Sequence, residues 1–196
     1  MGDGDDFALL DRWRNGDQQA GEALCARYFD AIYRFFENKL ASEADDLTQQ
    51  TFLGCVKSRD RFRGASSFRT YLYSIARNEL YMRLRKLPRF EQVDLEASSL
   101  VDLGTSPSKQ IDKRREVAQL HATLRQLPVE QQVLLELRYW HDLDIAELTE
   151  IFETTTGALR VRLTRARQAL RELIGTALDG DASDPMSISL REPEDS

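Results

Sequence analysis

Apolar residues recur at three- and four-residue intervals along most of the chain. Leu24, Tyr28, Ala31 and Phe35 form one run, and Leu159, Leu163, Ala166, Leu170 and Leu173 form another. That spacing gathers them on one face of an α-helix. No stretch alternates convincingly in the period of two expected of a half-buried strand. The pattern predicts helices over 5–15, 17–41, 43–58 and 67–87, with Ser42 capping the third and Asp45 in its first turn. Residues 88–108, from Pro88 through Leu103-Gly104-Thr105-Ser106-Pro107-Ser108, lose the period and gather turn formers. Helical spacing then resumes over 109–126, 129–140, 144–152 and 155–174. Pro128 suits the first turn of the second of these, and Asp144 with Glu147 fits a capping box for the third. The fold expected is all-α, with two small helical domains, 1–87 and 109–174, joined by a flexible linker at 88–108. An acidic tail, 175–196, carries Gly175, Gly180, Pro185 and Pro193 and is expected to be disordered.

Composition is compatible with two modest cores: of 196 residues, 41% are hydrophobic and 31% charged, with a formal net charge of −6. That charge argues against a protein that coats DNA by charge alone. The sign is unevenly spread, however. Residues 57–89 hold ten basic and two acidic side chains, and 157–174 hold five and one, in an otherwise acidic chain. Cys25 and Cys55 lack CxxC spacing, and His121 and His141 stand apart from them, so neither a disulfide framework nor a zinc site is indicated. The acidic start Met-Gly-Asp-Gly-Asp-Asp is unlike a signal peptide, and no apolar run approaches a membrane span. A cytoplasmic protein with no cofactor is expected.

Three segments suggest chemistry. The last two predicted helices, joined through Glu153-Thr154, can be locked together by Leu148, Ile151, Phe152, Leu159 and Leu163 as a helix-turn-helix. Arg160, Arg162, Arg165, Arg167 and Arg171 then flank the inward stripe, and the start of the long helix can face a DNA groove. By pattern alone, a helical hairpin with solvated arginines remains an alternative. The first basic patch interleaves aromatics, Arg61-Phe62-Arg63-Gly64-Ala65-Ser66-Ser67-Phe68-Arg69-Thr70-Tyr71. Beyond it, Tyr71, Ser74, Asn78, Tyr81 and Arg85 share a helix face opposite the stripe Phe68, Leu72, Ala76, Leu80 and Leu84. Such a face suits unstacked bases, unless the tyrosines cover the edge of the core. The third segment, Asp45-Asp46-Leu47-Thr48-Gln49-Gln50-Thr51-Phe52, begins a helix with acids that repel DNA and fit a protein partner, although acids in a first turn also simply complement the helix dipole.

Taken in their order along the chain, Asp45–Phe52 first, then Phe62 to Leu80, then Glu147 to Arg167, the three segments resemble those of the extracytoplasmic-function sigma factors of bacterial RNA polymerase, over nearly all of residues 7–174. The resemblance implies two helical domains, no catalytic residues, and control by an anti-sigma factor or a related regulator. It assigns core polymerase binding to Asp45, Asp46, Gln49, Gln50 and Phe52. Minus-ten reading and melting fall to Phe62, Arg63, Ser66, Ser67, Tyr71, Ser74, Arg77, Asn78, Tyr81, Arg85 and Lys86. Minus-thirty-five reading falls to Thr155, Thr156, Ala158, Arg160, Arg162, Arg165 and Arg167. The chain departs from the family pattern at Gln50, where an acid is usual, at Tyr71 for Trp, at Met82 for Asp, and at Ala158 for Thr. Glu153 stands where the turn glycine is usual. A conventional helix-turn-helix regulator with an N-terminal dimerisation or sensing domain is the competing reading, which polymerase binding would separate from the first. A helical enzyme would need convergent acid, base or metal residues, and the scattered carboxylates and lone histidines supply none.

Overall fold

The computed structural model describes residues 3–62, 64, 66–86, 99–100 and 115–179. The predicted sites at Arg63 and most of the predicted linker and tail lie outside them. Eight α-helices are found among the described residues: α1 (Asp3–Arg14), α2 (Gln18–Glu37), α3 (Ala44–Ser58), α4 (Phe68–Arg85), α5 (Arg115–Leu124), α6 (Val129–Tyr139), α7 (Ile145–Ile151) and α8 (Thr156–Asp179). None is long and apolar enough to cross a membrane.

Helices α1 to α4 enclose a core built around Leu10, Leu24, Ile32, Phe35, Phe36, Phe68, Leu72 and Leu80, all buried. Asp17 caps α2 by accepting from the Ala20 N–H at 3.1 Å. Four residues on, Gly21 lets α1 come close: a Cβ there would lie 2.4 Å from the Trp13 indole. The predicted cap Ser42 is not a cap. A 3-10 turn, Ala41–Glu43, precedes α3, and Glu43 occupies its N-cap without a side-chain bond. The Glu43 carboxylate instead accepts from Arg83 near the end of α4.

In the second domain Leu124, Val133, Leu137, Leu148, Ile151, Leu159, Leu163 and Ala166 are buried together. The capping box at α7 forms as expected: the Asp144 side chain accepts from the Glu147 N–H at 2.8 Å, and the Glu147 side chain from the Asp144 N–H at 2.9 Å. Two expectations change. Helix α8 runs on to Asp179, through Gly175, where a Cβ would meet nothing within 4 Å. Within the predicted linker, Leu100 is fully buried and Ser99 pairs with Pro128.

The turn between α7 and α8 puts Glu153 at φ 49°, a left-handed conformation that costs a side chain with a Cβ about 1–2 kcal/mol. The Thr154 N–H closes the turn on the Thr149 carbonyl at 3.1 Å. Glu153→Gly is expected to raise stability by about 1 kcal/mol, read as a higher thermal midpoint. A lower midpoint would show that the side chain is held by something other than the turn.

The two domains are packed together. Helix α4 lies against α7, and a buried ion pair spans the join. Lys39, with no exposed surface, donates from Nζ to Glu136 of α6 and, at 2.7 Å, to the Phe35 carbonyl. Its Nζ also sits 3.8 Å from the centre of the Phe35 ring. Asn38 donates to Glu136 at 3.3 Å, and Arg125 donates to the Asn38 and Lys39 carbonyls. Tyr73 of α4 shares a 2.7 Å hydrogen bond with His141.

Candidate nucleic-acid interface

Helix α3 turns Leu47, Thr48, Thr51 and Cys55 inward, which leaves Asp45, Asp46, Gln49 and Gln50 exposed as their spacing requires. The stripe continues further than the sequence reading had it. Leu53 and Val56 follow Asp46 and Gln49 at intervals of four and three, and both are more than two-fifths exposed. Beside them Phe29 of α2, 46% exposed, stacks on Phe52 at 6.1 Å and on Tyr33 at 6.4 Å. An acidic start and an apolar continuation thus share one outward face. Exposed Phe, Leu and Val at helical spacing were the available signal, obscured because they fall on two helices.

The face expected on α4 divides. Ser67 caps the helix, accepting from the Thr70 N–H at 3.0 Å. Phe62 is buried and stacks 4.4 Å from Tyr71, whose hydroxyl bonds Ser58. These two rings cover the core edge. The loop before them is held by Arg14, which donates to the Arg59 and Phe62 carbonyls. Gly64, at φ 70°, turns the chain with Phe7 close by. Tyr81 is only 6% exposed. Its ring lies 4.5 Å from the Arg77 guanidinium, which also sits 4.8 Å from the Phe152 ring of the second domain and donates to the Ile151 carbonyl. Ser66 and Ser74 are partly exposed, and Ser74 bonds back to the Thr70 carbonyl. Open to solvent are Asn78, Met82, Arg85 and Lys86.

The first turn of α8 is the third surface. Thr155 accepts from the Ala158 N–H at 3.3 Å, and Thr155, Thr156, Gly157, Ala158, Arg160 and Arg165 are exposed. Neither Arg160 nor Arg165 has an ion-pair partner among the described residues. Arg162 is engaged by Glu130 of α6, and Arg167 reaches Thr164 at 3.5 Å. Val161, half exposed, lies between the free arginines; its place on the polar side of the stripe was a signal the charge pattern masked. Among the described residues no cluster of His, Cys, Asp or Glu is placed to hold a metal.

Comparison with known proteins agrees with this geometry. Sigma-70 region 2 matches residues 24–90, and Sigma-70 region 4 matches residues 118–170. The RNA polymerase sigma-H factor of Pseudomonas aeruginosa is 30% identical over 179 residues, covering 84% of this chain and 91% of its own. The ECF RNA polymerase sigma-E factor of Escherichia coli is 29% identical over 175 residues, covering 84% and 92%. Among solved structures, CnrH in complex with the cytosolic domain of CnrY superposes with a TM-score of 0.67 at 23% identity, covering 90% of this chain and 99% of that one. The sigma factor RpoE of Bartonella quintana, solved with the anti-sigma factor NepR, gives 0.59 at 22%, covering 79% and 96%. These two likenesses extend to the fold. With both conserved regions matched in order and a relative aligned along most of its length, the chain belongs to the extracytoplasmic-function sigma factors of bacterial RNA polymerase.

Proposed function

We propose that the three surfaces divide the work of initiation. The 1–87 domain docks on core polymerase through the α3 face and holds the opened minus-ten strand along α4. The 109–174 domain reads the minus-thirty-five element with the start of α8, residues 88–108 link the two, and 175–196 form an acidic tail. The observation that carries this reading is the outward first turn of α8, where exposed Thr155, Thr156, Ala158, Arg160 and Arg165 extend from a locked helix-turn-helix. Arginine there can grip guanine bidentately or a phosphate, and the helix N-terminus favours a phosphate too. Arg162 and Arg167 flank this surface, and Arg162 must exchange Glu130 for DNA if it takes part. The protein acts without catalytic chemistry of its own, in the cytoplasm. An anti-sigma factor is its proposed regulator, in keeping with the partner named for the Bartonella quintana structure. Transcription reconstituted with core polymerase and a pool of genomic promoters tests the whole reading: no initiation above core polymerase alone would refute it.

Two of its parts have their own tests. Asp45→Lys with Asp46→Lys is expected to weaken polymerase binding about tenfold or more, since like charges meeting across an interface cost several kcal/mol. The helical circular-dichroism spectrum should not change, and equal binding in a pull-down titration would remove α3 from the interface. Arg160→Ala or Arg165→Ala should cost about 1–3 kcal/mol at one base position if the side chain reads a base, or weaken all sequences alike if it holds a phosphate. Parent-like binding to every upstream variant by both proteins would exclude α8 as the reader.

A further inference from the structure

The chain between α3 and α4 is held in shape by α1. Arg14, in the last turn of α1, donates to the Arg59 carbonyl from Nε at 3.1 Å and from Nη2 at 2.7 Å, and Nη2 also donates to the Phe62 carbonyl. A guanidinium is a rigid planar fork, so these two carbonyls are fixed relative to one another and to α1. Beside it the Trp13 ring lies 4.9 Å from the Arg59 guanidinium. Two turns back, Phe7 lies parallel to Phe62 at 6.3 Å, and a Cβ on Gly64 would come within 3.3 Å of the Phe7 ring. Helix α1 does not depend on this grip for its own place. Leu10 and Trp13 are buried, and the Trp13 indole packs on Gly21 of α2. The Arg14 side chain, 26% exposed, thus directs its donors to the backbone of a connecting segment and not to the core.

We propose that Arg14 and Phe7 are positioning residues for the minus-ten step: they pre-shape the backbone from Arg59 to Phe62 and at Gly64, so that an unpaired base meets a surface already formed. This rests on the reading above that the first domain holds the opened strand. The shaped segment leads into Ser67, the cap of α4. It leaves Arg61 and Gly64 exposed and Ser66 partly so. Without the clamp the segment would have to be ordered at the moment a base leaves the stack, and that cost would be set against the contacts that hold the base out. Opening is a near balance between unstacking and those contacts, so a modest ordering cost is felt as a large change in the open fraction. Docking of the α3 face on polymerase and of α8 on upstream duplex does not involve the segment. Helix α1 precedes the residues matched to Sigma-70 region 2, which begin at 24, so the clamp acts on that region from outside it.

The test uses holoenzyme assembled with the full chain, on a promoter that the unsubstituted protein opens and on the same promoter mismatched across minus ten. Arg14→Met keeps the apolar stem and removes the donors. Arg14→Lys leaves a point charge able to reach one carbonyl, and Phe7→Leu removes the ring stack but keeps an apolar contact. Arg14→Met is expected to lower permanganate-reactive thymines on the duplex about tenfold, because the segment must then be ordered during opening. Initiation from the mismatched promoter, polymerase binding and upstream binding should stay near those of the parent. Arg14→Lys and Phe7→Leu should lose less, in the same direction. Among single-base variants of the minus-ten element the discrimination shown by the parent should narrow, since a loose segment adapts to each base. A protein that is merely less stable would lose on every template and keep its order of preference. Should circular dichroism show Arg14→Met unfolded, the other two variants carry the same comparison. Parent-like opening by the folded variants, an equal loss on both templates, or a loss with unchanged base discrimination overturns the proposal. The unsubstituted chain reads the promoter function separately: no opening on any promoter of a genomic pool refutes that reading, and opening that the variants leave intact refutes the clamp alone.

Discussion

Replacing Glu136 with alanine is expected to cost about 3–5 kcal/mol, because it leaves the Lys39 ammonium buried with its counter-charge gone. The remaining partners, the Phe35 carbonyl and the ring beneath it, satisfy part of the ammonium but do not neutralise it. Lys39→Met with Glu136→Met should recover most of the loss, since an apolar pair of similar volume escapes both desolvation penalties. Urea midpoints on the parent and these two variants measure the loss and its recovery. A parent-like midpoint for Glu136→Ala would mean that Lys39 reaches water by parting the domains more cheaply than its charge can stay buried. The pair also sets a pH window. Burial pushes Glu136 up, but Lys39 and His141 pull it further down, to about 2. Its contribution is therefore complete above the ordinary glutamate value and is lost as pH falls from there towards about 2.

The second large effect concerns DNA opening. Asn78→Ala with Arg85→Ala should leave polymerase binding and upstream recognition near those of the parent while suppressing permanganate-reactive thymines around minus ten by about thirtyfold. Unstacking a base costs a few kcal/mol, and each contact that holds it out returns about 1–3. Two lost contacts therefore tip a near-balanced step. Tyr81, the natural partner for Asn78 on sequence grounds, is the poorer choice, because its buried ring would confuse a folding defect with a melting defect. Fully reactive thymines in the double variant would place melting elsewhere in the chain.

These two cases mark how far the sequence could be read. The Glu153 turn was marked only by the glycine usual there in the family the chain resembles. Helical stripes and the Asp144–Glu147 capping box were legible because each depends on residues within a few positions of one another. Lys39 and Glu136 were not. Each looks like an ordinary surface charge in its own helix, and only closure of the domains brings residues 97 apart into one pair. Tyr71 and Tyr81 sit at helical spacing with Asn78, but periodicity records direction around an axis and not what lies opposite. Phe62 covers one ring, and Arg77 with the second domain covers the other. The run of α8 to Asp179 was missed because Gly175 looks like a stop signal, while an exposed glycine merely weakens a helix by about 1 kcal/mol.

Leu100 sets a limit on reach. While it stays in its seat, with Ser99 beside Pro128, the span between the end of the first domain and the body of the second is the thirteen steps from Lys86 to Ser99. At full extension that is about 45 Å. With Leu100 released, the tether runs the twenty-nine steps to Arg115, or about 100 Å. Two promoter elements about 25 base pairs apart lie roughly 85 Å from one another along straight DNA. A seated Leu100 leaves a tether that covers only about half of that distance, so the breadth of the domains must bridge the rest, and an unseated one lets the tether cover all of it; a change at this leucine would therefore register as altered tolerance for spacer length, with the affinity of each domain for its own element unchanged.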